Sequence, residues 1–248
     1  MRAIAAIVSV LVCLSCSAGP KDYRLKVLDS YPHDRGAYTQ GLFFHCDTLY
    51  ESTGQYGEST LRKVDLKTGE VLQQVSFAKK YFAEGSCILD GKLYILTWTN
   101  RVAFVYDAGS LSYEATWSYP REGWGLTTDG SFLYASDGSN RIYVLTGDFK
   151  LVRTIFVKLE GRPVRYLNEL EWVDGKIWAN VYTTDMIVVI DPSDGKVRSR
   201  IDCSGLLPEK ERRPDTDVLN GIAVDSKGDI FLTGKNWPKL YKVKLSPK

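Results

Sequence analysis

Short apolar runs separated by tight-turn residues repeat along the chain. Each copy begins with a seven-residue run, continues through an Asp-Gly turn or a variant of it, and ends in a second apolar run. This pattern predicts a β-strand, a tight turn and a second strand. The first strands of the five copies are predicted at residues 38–44, 82–88, 122–128, 166–172 and 218–224.

The spacing of the copies indicates a ring of similar sheets. The second strands start 44, 40, 44 and 53 residues apart, at residues 49, 93, 133, 177 and 230. These intervals lie in or near the length of one blade of a β-propeller. A third strand follows in each copy, at residues 60–66, 101–106, 141–145, 186–190 and 239–245. The sequence therefore predicts an all-β fold, a five-bladed β-propeller.

Two segments fall outside the regular repeat. Residues 23–30 alternate like a strand before the first copy, and we expect them to pair beside residues 239–245 and so close the ring, because an unpaired final strand would leave an exposed edge. Residues 202–219 lengthen the last interval, and a short helical turn is predicted at residues 206–212. This connector is either a functional rim loop or a solvated link.

The N-terminus has the features of an export signal. Arg2 precedes an apolar segment, residues 3–14, that is too short to span a bilayer as a helix, as is typical of a secretory signal peptide. Cys16 follows, as at a bacterial lipoprotein cleavage site. We expect residues 1–15 to be the signal peptide and Cys16 to become the lipidated first residue; the alternative is ordinary cleavage near Ala18. The expected location is periplasmic or membrane-anchored, after export across the inner membrane.

Composition narrows the class of protein. Lys and Arg number 32 and Asp and Glu 30, interspersed along the chain, so no surface for nucleic acid is predicted. Residues 23–248 contain no Pro-rich linker and are expected to form one domain. A monomer is expected, because a closed propeller has no need of a partner. The cysteines of this domain are too few for a disulfide framework. Either Cys46 and Cys87 form one bridge, or these two and Cys203 are buried free thiols.

The repeat register brings ten positions toward one end of the predicted channel. The first strand of each propeller blade lines the channel, so its equivalent residues converge; they are Gln40, Glu84, Trp124, Asn168 and Asn220. The last positions of the second strands form another ring: Gly54, Trp98, Gly138, Tyr182 and Lys235. Aromatic walls with a few polar groups are typical of a substrate pocket, in which the two glycines are expected to leave room for the ligand.

Glu84 is the candidate acid–base residue. It is the one acid among the ten ring positions, and burial beside indoles would raise its pKa and suit it to proton transfer. The carboxamides and Lys235 are suited to hold a carbonyl oxygen that gains negative charge. The alternative is a structural carboxylate bound by backbone N–H groups. The chain has only two histidines, His33 and His45, which argues against a histidine-based zinc site.

Motifs spread over essentially the whole domain resemble one known family. They lie at residues 38–42, 84–85, 96–98, 123–127, 167–171, 178–181, 219–223 and 233–239. In this order and composition they resemble the plant and bacterial type of glutaminyl-peptide cyclotransferase. The resemblance implies a five-bladed propeller that converts the N-terminal glutamine of peptides or proteins into pyroglutamate with loss of ammonia.

The resemblance also implies roles for single residues. Glu84 would take a proton from the substrate's α-amino group and deliver it to the departing amide nitrogen. Gln40, Asn168 and Lys235 would contact the substrate or the developing oxyanion. No metal or other cofactor is implied for catalysis. Residues 65–69 and 191–195 resemble fragments of calcium loops, but they are better explained as hairpin turns, so a structural calcium ion is not indicated.

The same resemblance makes Trp98 and Trp124 walls of the pocket. Tyr38 stands where the family often has phenylalanine, and Tyr182 stands where tryptophan is expected. The second departure changes the shape of one wall and adds a hydroxyl group. The remaining tryptophans are expected in the core between sheets: Trp117, Trp172, Trp178 and Trp237.

Two other classes of protein are weighed against the cyclotransferase. A non-catalytic propeller that binds a ligand or a protein would use its rim, whereas the polar ring around Glu84 lies in the predicted channel. A metal-dependent hydrolase or lactonase of a propeller type would require several inward carboxylates around a cation. The register supplies only Glu84, so the cyclotransferase is favoured.

Overall fold

The computed structural model of the protein describes residues 19–248, so the predicted signal segment and Cys16 lie outside the described residues. A long strand, β1 (Lys21–Pro32), precedes three four-stranded antiparallel sheets. The first sheet comprises β2 (Thr39–His45), β3 (Thr48–Thr53), β4 (Thr60–Val64) and β5 (Val71–Ser76). The second comprises β6 (Ala83–Leu89), β7 (Lys92–Thr97), β8 (Val102–Asp107) and β9 (Tyr113–Ser118). The third comprises β10 (Leu126–Thr128), β11 (Leu133–Ser136), β12 (Arg141–Leu145) and β13 (Leu151–Phe156).

The second half of the chain forms a larger sheet. A short hairpin of β14 (Lys158–Leu159) and β15 (Arg162–Pro163) leads into β16 (Leu167–Val173), β17 (Lys176–Val181), β18 (Met186–Ile190) and β19 (Val197–Asp202). The 3-10 helix Glu209–Glu211 confirms the helical turn predicted in the connector. The chain ends with β20 (Leu219–Val224), β21 (Ile230–Gly234) and β22 (Lys239–Pro247). No helix in residues 19–248 is both long and apolar enough to cross a membrane.

Strand β1 joins the two halves of an eight-stranded sheet with the order β16-β17-β18-β19-β1-β22-β21-β20. Its first residues pair in parallel with β19, from Lys21 opposite Ser199 onward. Most of its length pairs antiparallel with β22, where Leu25 lies opposite Leu245. The prediction that residues 23–30 pair beside the last strand is therefore confirmed. The arrangement is an all-β, propeller-like fold.

Burial decreases across the sheets from the first strand to the last. All residues of β6 are buried, whereas most of β5 and β9 are exposed. The outer strands β5, β9, β13 and β19 were not predicted, because their half-exposed residues lack a strong apolar pattern. Trp117 lies on β9 and is 40% exposed. Its assignment to the core was wrong, since β9 is the edge of its sheet.

The hydrophobic core lies between neighbouring sheets. Phe43 and Tyr50 of the first sheet stack with 5.1 Å between ring centroids. They belong to the same buried cluster as Ile95 and Phe104 of the second sheet. Such contacts bury both faces of the inner strands, which explains why those strands are apolar almost without interruption. The inner strands therefore hold their backbones in fixed positions around the centre of the molecule.

Two buried carboxylates connect these inner strands. Glu169 on β16 accepts hydrogen bonds from the backbone N–H of Leu42 on β2, at 3.3 Å, and of Ile222 on β20, at 3.0 Å. Glu171 accepts one from Val224 N–H at 3.4 Å. The sequence register supplied only Glu84 as an inward carboxylate and did not include these two residues. The register compared one position per strand, and these two residues lie one and three positions after Asn168.

All three cysteines of the described chain are free. Cys87 and Cys203 are buried, but Cys46 is exposed in the turn between β2 and β3. The alternative of a disulfide is therefore wrong, and so is the burial of Cys46. Residues 65–69 and 191–195 join β4 to β5 and β18 to β19, as predicted for hairpin turns.

Candidate active site

A cavity of about 170 Å³ opens at one end of the inner strands. The beginnings of first strands and the ends of second strands meet there. Residues 19–248 include no cluster of three or more His, Cys, Asp or Glu side chains suited to a metal ion. The cavity is lined by Tyr38, Gln40, Phe82, Glu84, Trp98, Trp124, Asn168, Tyr182 and Lys235.

Glu84 is the buried acid of the cavity and is only 5% exposed. Gln40 Nε2 donates a hydrogen bond to its Oε1 at 3.2 Å, and Ser52 Oγ fixes its backbone by donating to the Glu84 carbonyl at 2.6 Å. Burial raises the pKa of Glu84 well above its ordinary value; the positive charge of Lys235 opposes this rise, and the negative charge of Glu122 adds to it. The carboxyl therefore holds a proton at higher pH than an exposed glutamate does, as is common for acids that transfer protons.

Lys235 faces the cavity from the segment after β21 and is 3% exposed. Its Nζ lies 4.6 Å from the ring centroid of Tyr38 and 4.9 Å from that of Tyr182, within the range of cation–π attraction. Burial lowers the pKa of Lys235, while the charges of Glu84 and Asp217 oppose that change. The two phenol rings replace part of the hydration that this ammonium group loses.

The carboxamide side chains at the predicted channel positions do not all reach the cavity. Asn168 lines the cavity, and its buried Oδ1 has no hydrogen-bond partner in the described chain, so it offers an acceptor to a ligand. Asn220 was expected to contact substrate, but it lies behind the lining and is fully buried. Its Nδ2 donates to Thr39 O at 2.9 Å and to Gln40 Oε1 at 3.2 Å. Asn220 thereby orients the amide of Gln40 toward Glu84.

Aromatic rings form the wall of the cavity. Phe82 packs edge-on against Trp98, with 5.6 Å between centroids, and Trp124 packs edge-on against Tyr182 at the same distance. Phe82 was not among the predicted site residues. A signal was present, because Phe82 precedes Glu84 by two residues as Tyr38 precedes Gln40. In these two repeats, the residue two positions before the inward side chain lines the cavity.

Gly54 and Gly138, the two glycines of the predicted channel positions, make space for the aromatic wall rather than for a ligand. A Cβ atom at Gly54 would lie 2.2 Å from Cε1 of Phe82, and one at Gly138 would lie 2.7 Å from Cζ2 of Trp124. The expectation that these glycines leave room for a ligand was wrong. The aromatic rings occupy that space and can approach closely only because no side chain is present.

The fold and the cavity together define a propeller-like protein with a small pocket that contains a buried carboxyl group. The solved WD40 β-propeller domain of Doa1 is similar in fold alone, with a TM-score of 0.53, 11% identity and coverage of 92% of this chain and 94% of that one. The family model for glutamine cyclotransferase matches residues 3–245. The chain belongs to this family.

Two further similarities support the same assignment. A glutaminyl-peptide cyclotransferase of Arabidopsis thaliana is 44% identical over 229 residues, which cover 89% of this chain and 71% of the relative. The crystal structure of Myxococcus xanthus glutaminyl cyclase superposes with a TM-score of 0.86 at 37% identity. That superposition covers 92% of this chain and 99% of the Myxococcus chain, so the similarity includes the strands that carry the cavity.

Proposed function

We propose that the protein is a glutaminyl-peptide cyclotransferase, which converts the N-terminal glutamine of a peptide or protein into pyroglutamate and releases ammonia. The observation that carries the proposal is the burial of Glu84, with a raised pKa, in a small cavity walled by aromatic rings. Both reacting groups belong to one glutamine residue. A confined cavity promotes the reaction by folding the side chain back toward the amine.

In the proposed reaction, the α-amino nitrogen attacks the carbonyl carbon of the glutamine side chain, and a new C–N bond closes the ring. Glu84 accepts the proton that the amine loses and delivers it to the side-chain amide nitrogen. The bond to that nitrogen then breaks, and ammonia leaves. An α-amino group has an ordinary pKa of about 7.7–8.0, so a carboxyl with a raised pKa is better matched to exchange a proton with it.

The other polar groups have complementary roles in this proposal. Gln40 holds Glu84 in position through the 3.2 Å hydrogen bond. Lys235 stabilises the negative charge that develops on the substrate's carbonyl oxygen, in a site where burial strengthens the interaction. The Oδ1 of Asn168 accepts a hydrogen bond from a substrate N–H, and its amide group donates to the oxyanion. Together these residues supply the proton transfer and the charge stabilisation without a metal ion.

We also propose that the fold has five blades. The eight-stranded sheet is interpreted as two four-stranded blades, β16 to β19 and β20 to β22 with β1, joined where β1 pairs with β19. With the three separate sheets this makes a five-bladed propeller with a terminal strand closing its last blade. Such a ring needs no second chain, so we propose a monomer.

We also propose that the protein is exported and that Cys16 is lipidated, which would leave it periplasmic and anchored to a membrane. The proposal rests on the cationic and apolar character of residues 2–14 and on the position of Cys16 after them. Mass spectrometry of the protein from its native membrane tests it. An acylated N-terminal Cys16 is expected, and an unmodified N-terminus after Cys16 would contradict it.

The activity is tested by ammonia release from Gln-Ala amide, measured with and without EDTA. Release that continues in EDTA and falls about 10²–10⁴-fold in Glu84→Gln supports a metal-independent reaction with Glu84 as acid and base. Glu70→Gln is the matched control, because Glu70 is an exposed glutamate in the turn between β4 and β5. An absence of release by the folded wild type would contradict the function and favour a binding propeller.

A further inference from the structure

The opening of the cavity determines where the residues after the N-terminal glutamine of a peptide substrate lie. Glu84, Gln40 and Asn168 close its inner end, whereas Tyr38 and Tyr182 at the opening are partly exposed. On the proposed function, the glutamine side chain lies inside, and the second residue of the peptide must lie at the surface beside these rings. The surface next to the opening therefore contacts the remainder of the substrate.

A groove of about 310 Å³ adjoins the opening on the side of Tyr38 and Tyr182. Two links connect it to the cavity. Tyr38 donates a hydrogen bond from its hydroxyl to Asp217 Oδ2 at 2.7 Å, and Tyr182 is followed directly by Thr183 in the wall of the groove. The groove is lined by Thr183, Thr184, Asp185, Arg212, Thr216 and Asp217, among others.

The connector that lengthens the last repeat builds one wall of this groove. Arg212, Thr216 and Asp217 belong to that connector, which the sequence analysis could not assign to a function. Asp217 is fixed in place, because its N–H donates to Lys235 O at 3.0 Å and its Oδ1 accepts from Val218 N–H at 2.8 Å. The additional residues therefore extend the surface around the active-site opening.

The opposite wall is a tight turn after β17. Thr183 has a φ of +65°, a left-handed conformation that is unusual for a β-branched residue. Thr184 closes the turn by donating from Oγ1 to Val181 O at 2.6 Å. The turn presents Asp185, whose side chain is exposed and has no ion pair or side-chain hydrogen bond in the described chain. Its carboxylate is therefore available to a bound molecule.

The groove has an excess of negative charge. Asp185 and Asp217 contribute two carboxylates, and Arg212 contributes the one guanidinium group. That guanidinium is itself 3.6 Å from Glu209, measured from Nε to Oε2. A positively charged group gains attraction here, whereas a carboxylate meets repulsion.

We propose that this groove is the subsite for the residue that follows the N-terminal glutamine, and that it favours a basic side chain over an acidic one. Asp185 is the main determinant, since its carboxylate has no other partner, while Asp217 also positions Tyr38. The preference is electrostatic and weakens as salt screens the exposed charges.

The test compares kcat/KM for Gln-Lys amide, Gln-Ala amide and Gln-Glu amide. The wild type is expected to prefer Gln-Lys over Gln-Glu by about three- to tenfold at low ionic strength, the effect of attraction and repulsion at exposed charges. Asp185→Asn is expected to reduce this ratio about two- to threefold, and Asp185→Lys to bring it below one. Asp90→Asn, which removes an exposed carboxylate at the turn between β6 and β7, leaves the ratio unchanged.

Two outcomes would overturn the subsite. One is equal use of Gln-Lys and Gln-Glu by the wild type at low salt, a measurement that does not depend on the folding of any variant. The other is a ratio that Asp185→Lys does not change. In both cases turnover of Gln-Ala shows that the cyclotransferase activity itself is present. A wild type that releases no ammonia from any of the three amides would instead contradict the proposed function.

Discussion

The indole Nε1 of Trp98 donates a hydrogen bond to Glu122 Oε2 over 2.9 Å. The same oxygen accepts the indole N–H of Trp124 at 3.1 Å. One exposed carboxylate thus holds two walls of the cavity, which come from different sheets. Its negative charge also adds to the raised pKa of Glu84. Glu122 therefore affects both the shape of the cavity and the protonation of the buried acid.

Replacement of Glu122 by glutamine separates these two effects. The side-chain oxygen of glutamine can still accept from the indoles, but the charge is lost, so the pKa of Glu84 falls. We expect the acid limb of the pH profile of kcat/KM, where activity falls as Glu84 becomes protonated, to move to lower pH in Glu122→Gln. KM is expected to change little. Glu122→Ala is expected to move the limb in the same direction and also to raise KM several-fold, because both walls lose their acceptor. An acid limb that stays in place in both variants would contradict the electrostatic role.

Removal of the positive charge of Lys235 is expected to move the acid limb of the pH profile in the opposite direction. Its positive charge opposes the effect of burial on the pKa of Glu84, so Lys235→Gln raises that pKa further. We expect the acid limb of kcat/KM to move to higher pH, and kcat to fall about 10²–10³-fold if Lys235 stabilises the oxyanion. The full pH profile of the variant measures both quantities. Displacement of the limb in the same direction as in Glu122→Gln would refute this account.

Gly138 allows the position of Trp124 to be tested. Gly138→Ala places a methyl group against the Trp124 ring and also introduces an alanine at a φ of +75°. Gly175→Ala is a matched control, because Gly175 has a φ of +73° with nothing within 4 Å of the added carbon. Both variants are expected to lose at least about 1 kcal/mol of stability through the positive φ, and Gly138→Ala is expected to lose more because its methyl group contacts Trp124. Only Gly138→Ala is expected to lower kcat/KM, by about tenfold or more, and equal kinetics in the two variants would show that the wall tolerates displacement.

The repeat register predicted most of the cavity because it depends on strand periodicity. Equivalent positions of neighbouring strands lie at the same height, so Gln40, Glu84, Trp124 and Asn168 could be placed together from sequence spacing alone. Asn220 occupies the same register position but lies behind Gln40. Its place depends on side-chain packing, which a period-based alignment does not describe.

Other features depended on contacts that no repeat pattern encodes. Asp217 comes from a connector without a counterpart in the other repeats, and its contact with Tyr38 joins residues 179 positions apart. Glu122 was present in the aligned motif, but its interaction with two indoles depends on rotamers. The outer strands were missed for a different reason, since their half-exposed surfaces require few apolar residues.

Glu169 provides a test of the inner framework. Both of its carboxyl oxygens accept backbone N–H groups, from Leu42 and Ile222. A glutamine can accept at only one of these positions and turns an N–H group toward the other donor. We expect Glu169→Gln to lower the free energy of unfolding by about 1–3 kcal/mol, measured by urea denaturation. Glu70→Gln, at an exposed turn, is the control, and equal stability of the two variants would contradict the structural role of Glu169.

The buried pair of His33 and Glu51 predicts how stability depends on pH. His33 Nε2 lies 2.9 Å from Glu51 Oε1, and its Nδ1 lies 2.7 Å from Trp237 O. Burial lowers the pKa of His33, but the Glu51 charge and these hydrogen bonds outweigh it, so the pKa is raised above 6.5. This stabilisation is complete below pH 6.5 and is lost as pH rises through the raised value. We expect His33→Gln to lower the free energy of unfolding by about 3–5 kcal/mol at pH 6. Between pH 6 and 9 the unfolding free energy of this variant is expected to decline less than that of the wild type. Urea denaturation across that pH range measures both quantities, and His45→Gln, at the exposed histidine, is the control. If the unfolding free energy of His33→Gln declined as steeply with pH as that of the wild type, the pH dependence would belong to other groups.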